Sequence, residues 1–97
     1  MTHTTALITE LQQLWERTLG DVPKVEQFHV WEAMHTPEVI RRGILRTAQK
    51  HLEANGVMPF ADRVRLASAI MESATVRAER ADRLRNTNST RGLDECV

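Results

Sequence analysis

The sequence predicts an all-α protein: a small four-helix bundle with a long fourth helix and a disordered C-terminal tail. Apolar residues recur at steps of three and four through most of the 97 residues, which is the spacing of amphipathic helices. Gly and Pro interrupt this pattern at only a few places, and no segment alternates like a strand. The length suits one domain, which we place at residues 1–85, followed by a polar, flexible tail at 86–97.

The first two predicted helices span residues 4–19 and about 24–35. Gly20 supplies a C-terminal cap for the first helix, and Val22-Pro23 begins the second. Phe28, Trp31 and His35 share one face of the second helix, so His35 is expected at the edge of the core. The apolar positions of the first helix are Leu7, Ile8, Leu11, Leu14, Trp15 and Leu19.

The third predicted helix runs from about residue 37 to 54. It begins at Thr36-Pro37-Glu38, which combines a hydroxyl N-cap, a proline at the first helical position and an acid near the positive helix end. Gly43 lies inside this helix, where glycine costs about 1 kcal/mol relative to alanine. Two explanations are open: the glycine permits close backbone packing, or it is simply tolerated. The apolar row of the helix is Ile40, Ile44, Ala48 and Leu52.

The fourth predicted helix follows Met58-Pro59 and reaches about Arg85. Its apolar row has alternating gaps of four and three, like a coiled coil of about three heptads. After Ala74 the row contains only alanine, which buries little area per residue. That end is therefore expected either to project from the body or to pack closely on a partner. The row consists of Phe60, Val64, Ala67, Met71, Ala74, Ala78 and Ala81.

The four helices are expected to share a core to which five large side chains contribute. The loop at residues 55–59 is predicted at the surface, with Val57 or Met58 turned inward. The predicted core residues are Trp15, Phe28, Trp31, Ile44 and Phe60.

The net charge of zero hides a strong separation of charge along the chain. Residues 1–38 sum to −4 and residues 39–97 to +4, and the whole positive excess belongs to residues 39–52. A basic helix inside a neutral chain indicates either an anionic partner or a solvated outer face.

The positive charges of the third helix follow a row. Arg42, Arg46 and Lys50 are spaced by four, and Arg41 flanks them. Such a row is a candidate electrostatic footprint for the phosphates of a nucleic acid, or for an acidic protein. The same row is also typical of the solvent-exposed polar face of any surface helix.

Catalytic, cofactor and metal sites are not predicted. The chain has no nucleophile elbow, no glycine-rich phosphate loop and no tyrosine, so we expect no enzyme. Two Glu-x-x-His spacings, Glu26/His29 and Glu32/His35, resemble half of a di-iron site. They start six residues apart on one helix, so they diverge by about 120° and cannot converge on one metal.

The expected compartment is the cytoplasm. The single cysteine, Cys96, cannot form an internal disulfide, which suits a reducing environment. No signal-like apolar core begins the chain, and no apolar run approaches the ~20 residues that span a bilayer. We therefore expect no membrane partner.

Residues 19–50 resemble the helical domain of DnaD-type bacterial and phage replication proteins. The resemblance rests on Leu19-Gly20-Asp21-Val22-Pro23, on Phe28 and Trp31, and on Pro37-Glu38-Val39-Ile40 with Ile44. It implies a bacterial or phage protein with a helical fold and a DNA-binding role in replication. Around residues 64–74 the chain departs from that family, which usually has a further aromatic and a second tryptophan there.

Two functions follow as predictions. The first is a non-enzymatic protein-interaction module that self-associates through the fourth helix. The second is a nucleic-acid-binding accessory protein that uses Arg41, Arg42, Arg46 and Lys50. The candidate self-association residues are Met71, Ala74, Ala78 and Ala81.

Overall fold

The computed structural model describes residues 5–84 in full and, for residues 85–96, the backbone alone. The chain forms four helices: α1 (Ala6–Leu19), α2 (Val25–Met34), α3 (Pro37–Glu53) and α4 (Phe60–Cys96). The described residues contain no strand, so the all-α prediction is confirmed. The flexible tail predicted for residues 86–97 lies outside the fully described range.

The helix boundaries follow from the predicted capping residues. The hydroxyl of Thr36 accepts a hydrogen bond from the Val39 amide at 3.3 Å, with Pro37 at the first position of α3. Thr5 caps α1 in the same way, accepting from the Ile8 amide at 3.1 Å. Gly20 ends α1 with φ of 88°, a left-handed value that favours glycine. Local chemistry therefore determines where these helices start and stop.

The centre of the core is aromatic. The rings of Trp15 and Trp31 stack with centroids 5.8 Å apart, and Phe28 meets Trp31 edge-on at 5.4 Å. Such pairs add about 0.5–1.5 kcal/mol beyond the area they bury. The predictions for Trp15, Phe28, Trp31 and Ile44 are confirmed. The buried apolar residues are Ile8, Leu11, Trp15, Leu19, Phe28, Trp31, Ile40, Ile44, Ala67 and Met71.

The prediction that Phe60 joins the core is wrong. Phe60 is the first residue of α4 and its side chain is 39% exposed. The Arg63 guanidinium lies 5.6 Å from its ring centroid. Leu52 also departs from its predicted apolar row, because it is 78% exposed. A row with steps of four drifts about 40° per step, so Leu52 is rotated about 120° from the buried Ile40.

The loop before α4 behaves as predicted. Val57 is 76% exposed, whereas Met58 is half-buried. The prediction that one of these two residues turns inward is therefore confirmed.

Helix α4 is attached to the body by polar contacts as well as by apolar packing. The Trp31 indole N–H donates to the Ser68 hydroxyl at 2.9 Å, and His35 Nδ1 lies 2.6 Å from the Thr75 hydroxyl. Arg63 donates to the Leu19 carbonyl at the end of α1. These contacts run from the first turn of α4 to Thr75, and they fix the rotation of α4 on the body.

Candidate interaction surface

The predicted basic row of α3 divides into two groups. Arg41 donates two hydrogen bonds of 3.1 Å to the carboxylate of Glu10 on α1. This hydrogen bonding and charge attraction raise the pKa of Arg41 above its ordinary value. Arg42 lies 2.9 Å from Glu38, one turn earlier on the same helix, and both side chains are largely exposed. Arg41 and Arg42 are therefore already engaged by acids of their own chain.

Arg46 and Lys50 belong to the second group. Both are exposed, and neither forms an ion pair within the described range of residues 5–84. Arg46 follows Arg41 by five residues, which rotates it by about 140° around the helix. The two therefore lie on different sides of α3, with Arg41 beside α1 and Arg46 beside α4.

A groove of about 310 Å³ lies between α3 and α4. Arg46 and Lys50 line it from α3, and Arg77 lines it from α4. Like the other two, Arg77 is exposed and has no ion pair with any residue of the described part of the chain. The remaining lining residues, all from α4, are Leu66, Ala69, Ile70 and Ser73. We call this feature the α3–α4 groove.

The α3–α4 groove combines aliphatic side chains with three cations. None of its lining residues is acidic, so no described side chain of the groove neutralises Arg46, Lys50 or Arg77. Leu66 and Ile70 are half-buried and Ala69 is exposed. The groove can therefore hold an anionic group together with an apolar one.

Sequence reasoning did not assign Arg77 to this site. Its spacing of four from Ser73 and seven from Ile70 places the three on one side of α4. That signal was present in the sequence, but it does not show which neighbouring helix meets that side.

The candidate self-association residues fall in different environments. Met71 is fully buried in the core, so its prediction as an interface residue is wrong. It packs against Gly43, where an added Cβ would lie only 2.6 Å from the Met71 Cγ. This confirms the first explanation of Gly43, namely close packing of two helices. Ala74 is half-buried, while Ala78 and Ala81 are exposed.

Further grooves border α4 in the described part of the chain, including one of about 340 Å³ lined by Asp62, Arg65, Leu66 and Ala69. One of about 370 Å³ lies where His35, Thr75 and Glu79 meet, and one of about 580 Å³ lies beside Phe60 and Pro23. Among the described residues, no three His, Cys, Asp or Glu side chains are grouped so that they could hold a metal ion. In the same part of the chain, every helix is too short or too polar to cross a bilayer.

Comparison with known proteins found no matching family model, no matching curated protein and no matching solved structure. The resemblance of residues 19–50 to DnaD-type proteins therefore stays a prediction.

Proposed function

We propose that the protein is a non-enzymatic helical interaction module that self-associates through α4. The observation that carries this proposal is the α3–α4 groove, where aliphatic side chains of α4 are flanked by three cations that have no acidic partner among residues 5–84. Unpaired charge beside accessible apolar surface is typical of a docking site. We also propose that the protein acts in the cytoplasm.

The groove side of α4 suits an interface better than its alanine end. Only Ala78 and Ala81 of the predicted self-association residues are exposed. Two methyl groups bury little area, whereas a stable interface usually buries more than about 1,000 Å² in total. Leu66, Ile70 and Arg77 offer longer side chains, including the arginine that is enriched in binding hot spots.

The test compares one substitution at two exposed positions of α4. Ala69→Glu places a carboxylate at the groove, while Ala81→Glu places it at the alanine end, and both keep a good helix former. Light scattering after size exclusion should show that Ala69→Glu weakens self-association and that Ala81→Glu does not. Wild-type protein that stays monomeric at high concentration would refute the proposal. If Ala81→Glu weakened self-association and Ala69→Glu did not, the interface would lie at the alanine end of α4 and not at the groove.

Nucleic-acid binding is a second candidate function, and a specific observation favours it. Arg46, Lys50 and Arg77 are three exposed cations around one groove, and none of them forms an ion pair with a described side chain, so they can contact phosphates. The resemblance to DnaD-type replication proteins supports the same candidate. Binding would release counterions, so affinity should fall steeply with salt.

Fluorescence anisotropy with labelled duplex and single-stranded DNA tests this candidate. Arg46→Glu with Lys50→Glu should remove binding at low salt, while Arg41→Ala, the control, should change it little because Glu10 already engages that side chain. No binding of wild-type protein at low salt would eliminate nucleic acid as the ligand.

A further inference from the structure

We infer that the α3–α4 groove receives the outer face of α2 from a second copy of this chain, so that copies join head to tail. The inference rests on the proposed self-association and names the surface that enters the groove. A second copy is the expected occupant because the chain itself carries a face that complements the groove in charge and in apolar character.

The complementary face lies on the outside of α2. Glu26, Val30 and Met34 are spaced by four residues, so they form one row along the helix. Val30 is 50% exposed and Met34 is 59% exposed. The core side of α2 carries Phe28 and Trp31 instead. Val30 and Met34 are therefore exposed aliphatic residues beside the exposed Glu26, on the side of α2 that faces away from Phe28 and Trp31.

The outer face of α2 can bind the α3–α4 groove by helix-in-groove recognition. Recognition of this kind uses anchors at i and i+4 from one face of a helix. Val30 and Met34 supply such anchors, and Leu66 and Ile70 of the groove are likewise one turn apart. Glu26 would then be the acid available to the groove cations.

The distribution of charge between α2 and α3 supports the same orientation. Glu10 and Glu38 engage Arg41 and Arg42 within the chain, so Arg46 and Lys50 are the cations of α3 left without an ion pair among the described residues. Helix α2 carries two acids, Glu26 and Glu32, and no Lys or Arg. Opposite charges steer association and fix the orientation of a complex. The acidic helix α2 of one copy is thus matched to the remaining cations of α3 in the next.

This contact is heterologous, because the groove and the α2 face are different surfaces of one chain. Each copy keeps one free groove and one free face, so assembly continues into a ring or an open chain of copies. An interface that pairs the same surface of both copies would instead stop at a dimer.

Two variants test the inference. The groove variant carries Arg46→Glu and Arg77→Glu, and the face variant carries Val30→Lys and Met34→Lys. All four positions are exposed, so both variants should fold, which circular dichroism checks. Each variant alone should be monomeric by sedimentation velocity. An equimolar mixture should form a species of twice the monomer mass and nothing larger. The groove variant keeps an intact α2 face, and this face can enter the intact groove of the face variant.

The outcomes separate this inference from the proposed function. Wild-type protein that is monomeric would refute both the proposed self-association and the head-to-tail contact. Wild-type assemblies that persist in both variants would leave self-association standing and would overturn the head-to-tail contact. Two monomeric variants whose mixture stays monomeric would also overturn it, because only a heterologous contact predicts complementation.

Discussion

Gly43 of α3 lies directly against Met71 of α4. A Cβ at position 43 would come within 2.6 Å of the Met71 Cγ and within 3.2 Å of its Cε, and Met71 is fully buried. The two helices can approach this closely only because residue 43 has no side chain. The structure thereby explains a glycine that lies in the interior of a helix.

Gly43→Ala should destabilise the protein although it improves helix propensity. The gain of about 1 kcal/mol in propensity is opposed by overpacking, which costs about 1–3 kcal/mol. We expect the free energy of unfolding to fall by about 1 kcal/mol in urea denaturation. In a Met71→Ala background the clash is gone, so the same substitution should stabilise. A stabilising effect in both backgrounds would contradict the packing described above.

Ser68→Ala should weaken the attachment of α2 to α4. The indole N–H of Trp31, a residue only 2% exposed, donates to the Ser68 hydroxyl. Removing the acceptor leaves a buried donor without a partner, which costs about 1–3 kcal/mol. The control is Ser73→Ala, an exposed position where we expect a change within about 0.5 kcal/mol. Equal unfolding free energies for the two variants would exclude a stabilising role for this hydrogen bond.

Arg46→Ala and Arg41→Ala should affect self-association differently. Arg46 lines the α3–α4 groove without an ion pair in the described chain, whereas Arg41 is bound by Glu10. Loss of one exposed charge contact is worth about 0.2–1 kcal/mol, so we expect Arg46→Ala to weaken association by about 1.4- to fivefold. Arg41→Ala should leave the association constant close to that of the wild type. Sedimentation equilibrium measures both, and a larger effect at Arg41 would contradict the assignment of the groove.

The positions of the helices could be predicted because their signals are local. Thr36, Pro37 and Gly20 act within one turn of the chain, and the observed ends of α1, α2 and α3 lie within two residues of the predicted ones. The aromatic core was predictable for a similar reason, since large apolar side chains at helical spacing are buried wherever the helices meet.

The candidate site was less predictable because it depends on which faces meet. The apolar row of α4 did not show that Met71 is buried in the core of the monomer. It also did not show that Phe60, the first residue of the row, is partly exposed at the edge of the core. The basic row of α3 did not show that Glu10 engages Arg41 from another helix. Nor could it show that Arg77 joins Arg46 across a groove. These are relations between helices, and a single sequence does not encode them locally.

Sedimentation velocity of the wild-type protein over a range of concentration, at low and at high salt, tests the central claim most directly. We expect the mass to rise with concentration above the 11.1 kDa of one chain and to continue past the dimer. High salt should reduce the mass of the assemblies because it screens the attraction between exposed charges. The distance over which such charges attract each other falls from about 10 Å at 0.1 M salt to about 3 Å at 1 M. A single 11.1 kDa species at every concentration and both salt levels would contradict the account.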